Sequence, residues 1–173
     1  MSSVVVRDAV PADYAAIREI FAAGYAEFAP LFPPGVFEAY REDWQAVEQR
    51  AGVADLLVAE VGDEPVGTVA LYPDAALEGL GWPAGWAGVR TLAVLPSARG
   101  HGAGRALMAE CLRRAAAWGS PAVALHTTEF MQAARRLYCR LGFHRDPQFD
   151  RTFGSADERL TVIGSVLPLS ARA

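Results

Sequence analysis

A run of glycines interrupts the sequence where a buried strand is predicted to give way to a helix. Residues 97–106 read S-A-R-G-H-G-A-G-R-A, between a strand expected over 88–95 and a helix expected to begin near Gly104. Glycine lets the backbone approach a ligand closely and turn successive N–H groups toward it, and a helix N-terminus adds unpaired donors. The stretch therefore predicts a main-chain site for a phosphate or pyrophosphate, although an ordinary tight strand-to-helix turn would use the same residues.

The spacing of these glycines excludes two common phosphate-binding motifs. The sequence has no G-x-x-x-x-G-K-S/T, which the nucleoside triphosphate loop requires. It reads G-x-G-x-G rather than G-x-G-x-x-G, and it follows a middle strand, whereas the dinucleotide motif follows the first strand of its fold. A nucleotide-binding loop of another kind stays open at this point.

Strand and helix signals alternate along the rest of the chain. Strands are predicted at 3–8, 56–61, 65–72, 88–95, 122–127, 143–153 and 160–168, and helices after Pro11 and at 36–51, 104–118 and 131–141. The order β-α-α-β-β-β-α-β-α-β-β indicates an α/β fold with one mixed sheet whose centre is partly parallel. With 173 residues and no repeat or linker, the chain is expected to form a single domain over residues 1–173.

Net charge, apolar stretches and cysteine spacing indicate which kinds of partner the protein is not expected to bind. The formal net charge of −4 argues against a nucleic-acid partner, since proteins that bind nucleic acid usually present a basic face. No apolar stretch approaches the ~20 residues of a membrane span, and the N-terminus does not resemble a signal peptide. The two cysteines, Cys111 and Cys139, lie in predicted helices without metal-ligand spacing. We therefore expect a cytoplasmic protein with reduced thiols, no bound metal and no membrane partner.

Two motifs resemble those of the Gcn5-related N-acetyltransferase (GNAT) family. Residues 89–108, V-R-T-L-A-V-L-P-S-A-R-G-H-G-A-G-R-A-L-M, resemble its acetyl-CoA motif, in which a strand of type L-x-V-x-P precedes Q/R-x-x-G-x-G/A; Arg99, Gly102 and Gly104 match the fixed positions. Residues 134–143, A-R-R-L-Y-C-R-L-G-F, resemble its second signature, A-x-x-L-Y-x-x-x-G-F. Together the two motifs are far more specific than either alone. The resemblance implies the GNAT fold, in which the central parallel strands splay apart.

The resemblance also implies that acetyl-CoA is the co-substrate and lies between the splayed strands. Main-chain N–H groups of 100–105 would hold its pyrophosphate, and the strand edge at 92–94 would pair with its pantetheine arm and polarise the thioester carbonyl. Arg99 and Arg105 would either bond the phosphates or stay solvated. The cofactor-binding residues expected on this basis are Leu92, Ala93, Val94, Arg99, Gly100, His101, Gly102, Ala103, Gly104 and Arg105.

The family reaction is attack of an amine on the acetyl carbon, which poses two proton-transfer problems. An ammonium group with a pKa near ~10 must lose a proton, and the departing thiolate gains from a nearby acid. The resemblance assigns the acid to Tyr138, in the second motif. Many relatives carry the base as a glutamate near 88–90, where this chain has G-V-R. The base is therefore open between His126, Glu129 and a water held by main chain.

The acceptor site is expected between the apolar loop 28–35, the loop 148–155 and the ends of the central strands. Arg90, in the motif strand, would bind a substrate carboxylate or else reach solvent. The function implied is acetyl transfer from acetyl-CoA to a primary amine of a small molecule or peptide, in a ternary complex. A non-catalytic acyl-CoA sensor of the same fold is the alternative, because the expected glutamate is missing. The oligomeric state is open, with a homodimer among the options.

Overall fold

The structure of the protein, a computed structural model, describes residues 3–170. In that range the strands are β1 Val4–Asp8, β2 Asp55–Val61, β3 Glu64–Tyr72, β4 Ala87–Val94, β5 Ala122–Thr127, β6 His144–Arg145, β7 Arg151–Gly154 and β8 Arg159–Pro168. The helices are α1 Tyr14–Tyr25, α2 Pro34–Gln45, α3 Val47–Ala51, α4 Ala103–Ala117 and α5 Gln132–Arg140.

The strands form one mixed sheet in the order β1-β2-β3-β4-β5-β8-β6, with β7 paired to β8. The pairing of β4 with β5 is parallel, and the others are antiparallel. The β2–β3 hairpin turns at Gly62 and Asp63, whose φ angles of 59° and 66° are those that a tight two-residue hairpin requires. The parallel pair therefore lies at the centre of the sheet.

These two central strands separate along their length. Residues 87–89 of β4 pair with 123–125 of β5, and β4 then continues to Val94 without that partner. The register of β4 with β3 shifts here, and Thr91 has a φ of 55°, which is uncommon for a β-branched residue. A bulge of this kind bends its strand. A gap therefore opens between the carboxyl ends of β4 and β5.

Helices cover both faces of the sheet, because successive residues of its inner strands are apolar and point to opposite sides. Leu57 and Val69 belong to the core beneath α4 and α5. Val58 and Ala70, the next residues along, belong to the core beneath α1, α2 and α3. In α1 the buried residues recur at helical spacing, with Ile17, Ile20 and Phe21 at most 1% exposed. The gap between β4 and β5 is thus left between two helical layers.

The α/β class, the mixed sheet and the central splay are confirmed, and two predicted elements prove to be divided. The helix expected over 36–51 becomes α2 and α3, because the backbone at Ala46 leaves the helical region with a ψ of 52°. The strand expected over 143–153 becomes β6 and β7, with a 3-10 turn at Pro147–Phe149 between them. Proline lacks the N–H that a continuous strand would need at this point.

Candidate active site

The glycine run forms an open loop of left-handed residues before α4. Gly100 and Gly102 have φ angles of 80° and 91°, and a Cβ at either position would meet nothing within 4 Å. The first backbone bond of the helix runs from the N–H of Ala106 to the carbonyl of Gly102, at 2.9 Å. No side chain caps this helix in the part of the chain that the structure describes. The N–H groups that precede Ala106 are therefore available to an acceptor from outside.

These N–H groups face a cavity of about 830 Å³, here called the glycine-loop cleft. Residues 92–94 of β4 lie along it, beyond the point where β4 leaves β5, and α1 and α5 form its sides. Its lining residues are Gly24, Tyr25, Glu27, Phe28, Leu92, Ala93, Val94, Ala98, Arg99, Gly100, Gly102, Ala103, Gly104, Arg105, Phe130, Met131, Gln132, Ala133, Ala134, Arg136, Leu137, Arg140 and Leu141. The cleft joins an open strand edge to a helix N-terminus.

Among the residues predicted to bind the cofactor, Arg99 has a structural partner. Its guanidinium pairs with the carboxylate of Glu27 and donates to the carbonyl of Gly24 at 2.9 Å, so that it joins the glycine loop to α1. Arg105 is exposed at the cleft without an ion pair among the described residues. His101 is exposed and lies outside the cleft lining, although its main chain belongs to the loop.

Two further arginines of the cleft were missed by the sequence analysis. Arg136 and Arg140 are exposed on α5 and line the glycine-loop cleft. Their i, i+4 spacing puts them on one face of the helix, and this periodicity was the available signal. Together with Arg105 they give the mouth of the cleft a positive charge, which suits an anionic ligand.

A second cavity, here called the aromatic cavity, lies further back along β4 and measures about 530 Å³. Its lining residues are Phe32, Pro33, Gly35, Val36, Ala39, Tyr40, Asp43, Glu78, Leu80, Val89, Arg90, Thr91, His126, Thr127, Thr128, Met131, Phe153, Gly154, Ser155, Glu158, Leu160 and Val162. Both loops expected to frame an acceptor site, 28–35 and 148–155, contribute to this lining. Met131 lines both cavities, and β4 passes from one to the other between Thr91 and Leu92.

A group of aromatic rings separates the two cavities on the side of α1 and α2. The ring centroids of Tyr25 and Tyr40 are 5.7 Å apart, and those of Tyr25 and Trp44 are 5.2 Å apart. The hydroxyl of Tyr25 donates to the carbonyl oxygen of Leu92 at 2.9 Å. Burial raises the pKa of Tyr25 and of Tyr40, so both phenols stay protonated at neutral pH. This hydrogen bond holds α1 against the part of β4 that has no β5 partner.

Glu78 is one of three acidic residues in the lining of the aromatic cavity, with Asp43 and Glu158, and none of them was predicted from the sequence. Glu78 is the last residue of a 3-10 turn, Ala75–Glu78. Asp74 precedes this turn, and its carboxylate accepts a hydrogen bond from the N–H of Ala76 at 3.0 Å. The Oε1 atom of Glu78 is shielded from solvent and has no hydrogen-bond partner among the described residues. Burial raises the pKa of Glu78 to about 7, and Arg90 opposes part of that shift.

Arg90 faces this cavity with part of its charge already compensated. Its Nη2 lies 3.2 Å from Oδ2 of Asp43, and the same oxygen lies 2.9 Å from Nη2 of the buried Arg50. The sequence analysis expected Arg90 to bind a substrate carboxylate or to reach solvent. The structure shows a third partner, the carboxylate of Asp43. No local pattern could indicate this pair, because α2 and β4 are far apart along the chain.

His126 lines the aromatic cavity in a fixed tautomer. Its Nε2 lies 2.7 Å from the carbonyl oxygen of Phe149, which can only accept, so Nε2 carries the proton. Its Nδ1 is buried without a partner, and its ring packs on Trp82 with centroids 4.5 Å apart. Burial lowers the pKa of His126, so the ring is neutral at neutral pH.

Tyr138 and Glu129, the other two residues predicted to be catalytic, lie outside the lining of both cavities. Tyr138 is 7% exposed, and its ring packs on Phe143 with centroids 5.9 Å apart. Its neighbours Ala134, Leu137 and Leu141 line the glycine-loop cleft, whereas Tyr138 itself is buried. Burial raises the pKa of Tyr138, with a smaller contribution from Tyr40. The Glu129 side chain is exposed.

Splayed central strands beside a glycine loop at a helix N-terminus are features of coenzyme-binding α/β domains. Sequence comparison identifies the family to which this domain belongs. A family model described as acetyltransferase (GNAT) family matches residues 15–143. The chain therefore belongs to the GNAT acetyltransferase family, as the two motifs indicated. No curated protein matches the sequence significantly.

Solved structures share the whole fold at low sequence identity. The ribosomal-protein-S18-alanine N-acetyltransferase of Escherichia coli has a TM-score of 0.73 at 18% identity, over 98% of this chain and 96% of that one. The Salmonella typhimurium protein yncA, solved with its cofactor acetyl-CoA, has a TM-score of 0.67 at 23% identity, over 99% and 96%. A GNAT family acetyltransferase of Brucella melitensis in complex with acetyl-CoA has a TM-score of 0.65 at 22% identity, over 98% and 90%.

Two further properties concern residues 3–170. No helix in this range combines the length and apolar character that a membrane crossing needs. No three histidine, cysteine, aspartate or glutamate side chains in the same range are grouped so that they would hold a metal ion.

Proposed function

We propose that the protein transfers an acetyl group from acetyl-CoA to a primary amine of a small molecule. The observation that carries this proposal is the course of β4, which lines the aromatic cavity as far as Thr91 and the glycine-loop cleft from Leu92 onward. A donor and an acceptor bound on the two sides of this point would meet at one strand. Binding of both reactants before reaction converts a bimolecular step into a step within one complex.

The residues of the glycine-loop cleft fit acetyl-CoA. The free N–H groups of 102–105 suit the pyrophosphate, and the exposed Arg105, Arg136 and Arg140 suit the phosphate charges. Residues 92–94 have no β5 partner, so apart from the Leu92 carbonyl, which accepts from Tyr25, this strand edge offers main-chain groups to an amide-bearing arm. Arg99 would act through the position of the loop, since its guanidinium is held by Glu27 and Gly24. When bound, acetyl-CoA would supply the thioester that the amine attacks.

Tyr138 is the proposed acid. Because burial raises its pKa, its phenol is protonated throughout the physiological range, which is the form that an acid at the departing sulfur must have. In this proposal the sulfur lies in the gap between β4 and β5, beyond the point where the two strands are paired, and the Tyr138 phenol would donate to it there. A main-chain N–H of 92–94 would polarise the acetyl carbonyl.

Turnover with primary amines tests the proposal. The purified protein is incubated with acetyl-CoA and a panel of primary amines, and release of the CoA thiol is followed. We expect transfer to an amine with an apolar body, and we expect Tyr138→Phe to lower kcat about tenfold or more while the KM for acetyl-CoA stays within a factor of about two. Tyr72→Phe is the matched control, because Tyr72 is a buried tyrosine of β3 outside both cavities.

Two results would reject the proposal in different ways. Binding of acetyl-CoA without transfer to any amine would favour the sensor of the same fold. Binding of ADP as tight as that of acetyl-CoA would favour a nucleotide-binding function, since ADP has no pantetheine arm or thioester to contact β4.

A further inference from the structure

Glu78 is an acidic group without a partner in a cavity where most other charges are paired. Asp43 is bound by two arginines, whereas Oε1 of Glu78 has no donor within hydrogen-bond distance in residues 3–170. A carboxylate in such surroundings is costly unless it is hydrogen-bonded or neutralised. The hydroxyls of Thr127 and Thr128, also in the cavity lining, are likewise buried without partners. A ligand with several N–H donors would satisfy these groups together.

The fold holds Glu78 in place from two sides. The carboxylate of Asp74 accepts from the N–H of Ala76 and from that of Gly85 at 3.1 Å, which fixes the turn that ends at Glu78. On the other side the carboxyl group lies against Gly88 of β4: a Cβ at residue 88 would come 2.0 Å from Oε1 of Glu78. The absence of a side chain at Gly88 therefore gives the carboxyl group its space over the motif strand.

We propose that Glu78 binds the ammonium group of the acceptor and removes one of its protons before attack, an inference that rests on the proposed acetyl transfer. The amine nitrogen then bonds to the acetyl carbon, and the bond from that carbon to sulfur breaks. Tyr138 gives its proton to the sulfur, and a second proton leaves the nitrogen and restores the phenol. The third proton stays on the amide product, and Glu78 releases the first to solvent.

The other candidates are less suited to this step. His126 has one unprotonated nitrogen, Nδ1, which is buried, while Nε2 is engaged with the carbonyl of Phe149. The Glu129 side chain is exposed outside both cavities. Asp43 is bound by Arg50 and Arg90. Glu78 alone of these groups is a cavity carboxylate with an unpartnered, buried oxygen.

The same charges define the class of acceptor. The walls of the aromatic cavity are mainly aromatic and aliphatic side chains, from Phe32 to Val162. Arg50 and Arg90 both contact Asp43, whereas Oε1 of Glu78 has no hydrogen-bond partner among the described residues. A cationic primary amine with an apolar body would supply the N–H donors that Glu78, Thr127 and Thr128 lack and would contact these walls with its body.

A comparison of three glutamate variants tests the assignment, with 2-phenylethylamine and acetyl-CoA as substrates. We expect Glu78→Gln to lower kcat about 100-fold and to leave the KM for acetyl-CoA within about twofold. Glu64→Gln, in the exposed β2–β3 hairpin, is the control and should not change kcat. Glu129→Gln and His126→Asn separate the rival bases. A loss in either of them that exceeds the loss in Glu78→Gln would overturn the proposal.

The pH profile distinguishes a base from a structural group. The charged and titratable groups around Glu78 are Arg90 of β4, Asp43 of α2, Arg50 of α3, His126 of β5 and Glu158 before β8. With these neighbours, wild-type kcat should rise with pH to a plateau above about pH 7, as Glu78 loses its proton. In Glu78→Gln the rise should move toward the pKa of the free amine, about 10, because only neutral amine would react. An unchanged profile in the variant would overturn the proposal.

A binding measurement keeps this inference apart from the proposed function. With ¹³C-labelled glutamate, the side-chain carboxyl resonance that Glu78→Gln lacks should titrate near pH 7 and shift to a lower pKa on addition of 2-phenylethylamine. If the protein binds acetyl-CoA but transfers to no amine, the proposed function fails, and this titration still decides the role of Glu78. A carboxyl pKa that the amine leaves unchanged would contradict an ammonium site.

Discussion

Gly102 combines a left-handed backbone with open space in front of it. Its φ is 91°, and a Cβ there would touch nothing within 4 Å. Gly102→Glu would bring a carboxylate to the position proposed for the pyrophosphate. We therefore expect the Kd for acetyl-CoA, measured by titration calorimetry, to rise about 100-fold or more.

Gly119 provides the matched control, because it lies just beyond the other end of α4 with a φ of 72° and no contact within 4 Å. Gly119→Glu imposes the same backbone strain and the same added charge outside the cleft. Its Kd should stay close to the wild-type value. Equal losses in the two variants would mean that strain, and not a phosphate site, accounts for the effect.

The raised pKa of Glu78 also predicts how stability depends on pH. Burial raises this pKa from 4.5 to about 7, so between these values the folded protein keeps a proton that the unfolded chain releases. The contribution of Glu78 to the free energy of unfolding is therefore fully present below about pH 4.5 and is lost as the pH rises through about 7. Glu78→Gln cannot ionise. Compared with wild type, it should be more stable by about 3 kcal/mol at about pH 8, with that gain absent at about pH 4.

Urea unfolding of both proteins at the two pH values measures this difference. A change in stability that is the same at both would show that the substitution acts through packing and not through ionisation. Far-UV circular dichroism of each variant before unfolding serves as the control for the fold.

At the scale of residues, the sequence indicated the proposed anion site more completely than the proposed proton acceptor. Gly102 and Gly104 would act through the conformation of the loop backbone, and their spacing in the sequence is enough to recognise the motif. Glu78 becomes a cavity residue because the β3–β4 connection folds over Gly88, ten positions further along the chain. A contact of this kind depends on the tertiary fold, and no periodicity within the connection predicts it.

At the scale of elements, one face of α5 is expected to contribute much of the charge that holds the cofactor. Arg136 and Arg140 are exposed on that face without ion pairs among the described residues. We expect the double variant Arg136→Gln with Arg140→Gln to raise the Kd for acetyl-CoA about tenfold at low salt, and less at high salt, because exposed charges are screened.

The neighbouring Arg135 is the control for this prediction. It is exposed on the same helix but lies outside the cleft lining, where it donates to the carbonyl of Glu129. Arg135→Gln should leave the Kd unchanged at either salt concentration. An equal effect of the two sets of substitutions would indicate general charge attraction without a defined phosphate contact.

Elements with strong periodicity could be predicted closely, and those interrupted by local breaks could not. β5 has the bounds that its apolar run indicated, 122–127, and α4 differs by one residue at each end. The break between α2 and α3 depends on the backbone at Ala46, an alanine that by itself favours helix. The bulge at Thr91 is likewise hidden, since threonine is a good strand residue and gives no local sign of a positive φ.

At the scale of the whole molecule, the two cavities depend on different amounts of the fold. The glycine-loop cleft is built mainly from the two motifs, 89–108 and 134–143, and so its place could be predicted. The aromatic cavity is assembled from α2, the β3–β4 connection, β5 and the β7–β8 hairpin. Its two expected loops were identified, but its charges, Glu78 and Asp43, come from segments that meet only when the sheet is formed.

The arrangement of the thiols bears on the order of chemical steps. Cys111 is fully buried in the core beneath α4, and burial raises its pKa to about 12. Cys139 is exposed, and it lines neither the glycine-loop cleft nor the aromatic cavity. Since the thiolate is the nucleophilic form, neither residue is placed to receive the acetyl group on its way to the amine. For the proposed function, we therefore expect the acceptor amine to attack while acetyl-CoA is bound.

Initial rates at varied acetyl-CoA and 2-phenylethylamine concentrations test this consequence. Double-reciprocal plots should intersect, as they do for a ternary complex, and the double variant Cys111→Ser with Cys139→Ser should give the same pattern. Mass spectrometry of the protein after incubation with acetyl-CoA alone should show no added acetyl group. Parallel plots together with an acetylated protein would instead require a covalent intermediate. Acetyl-CoA and the amine would then bind one after the other and not together.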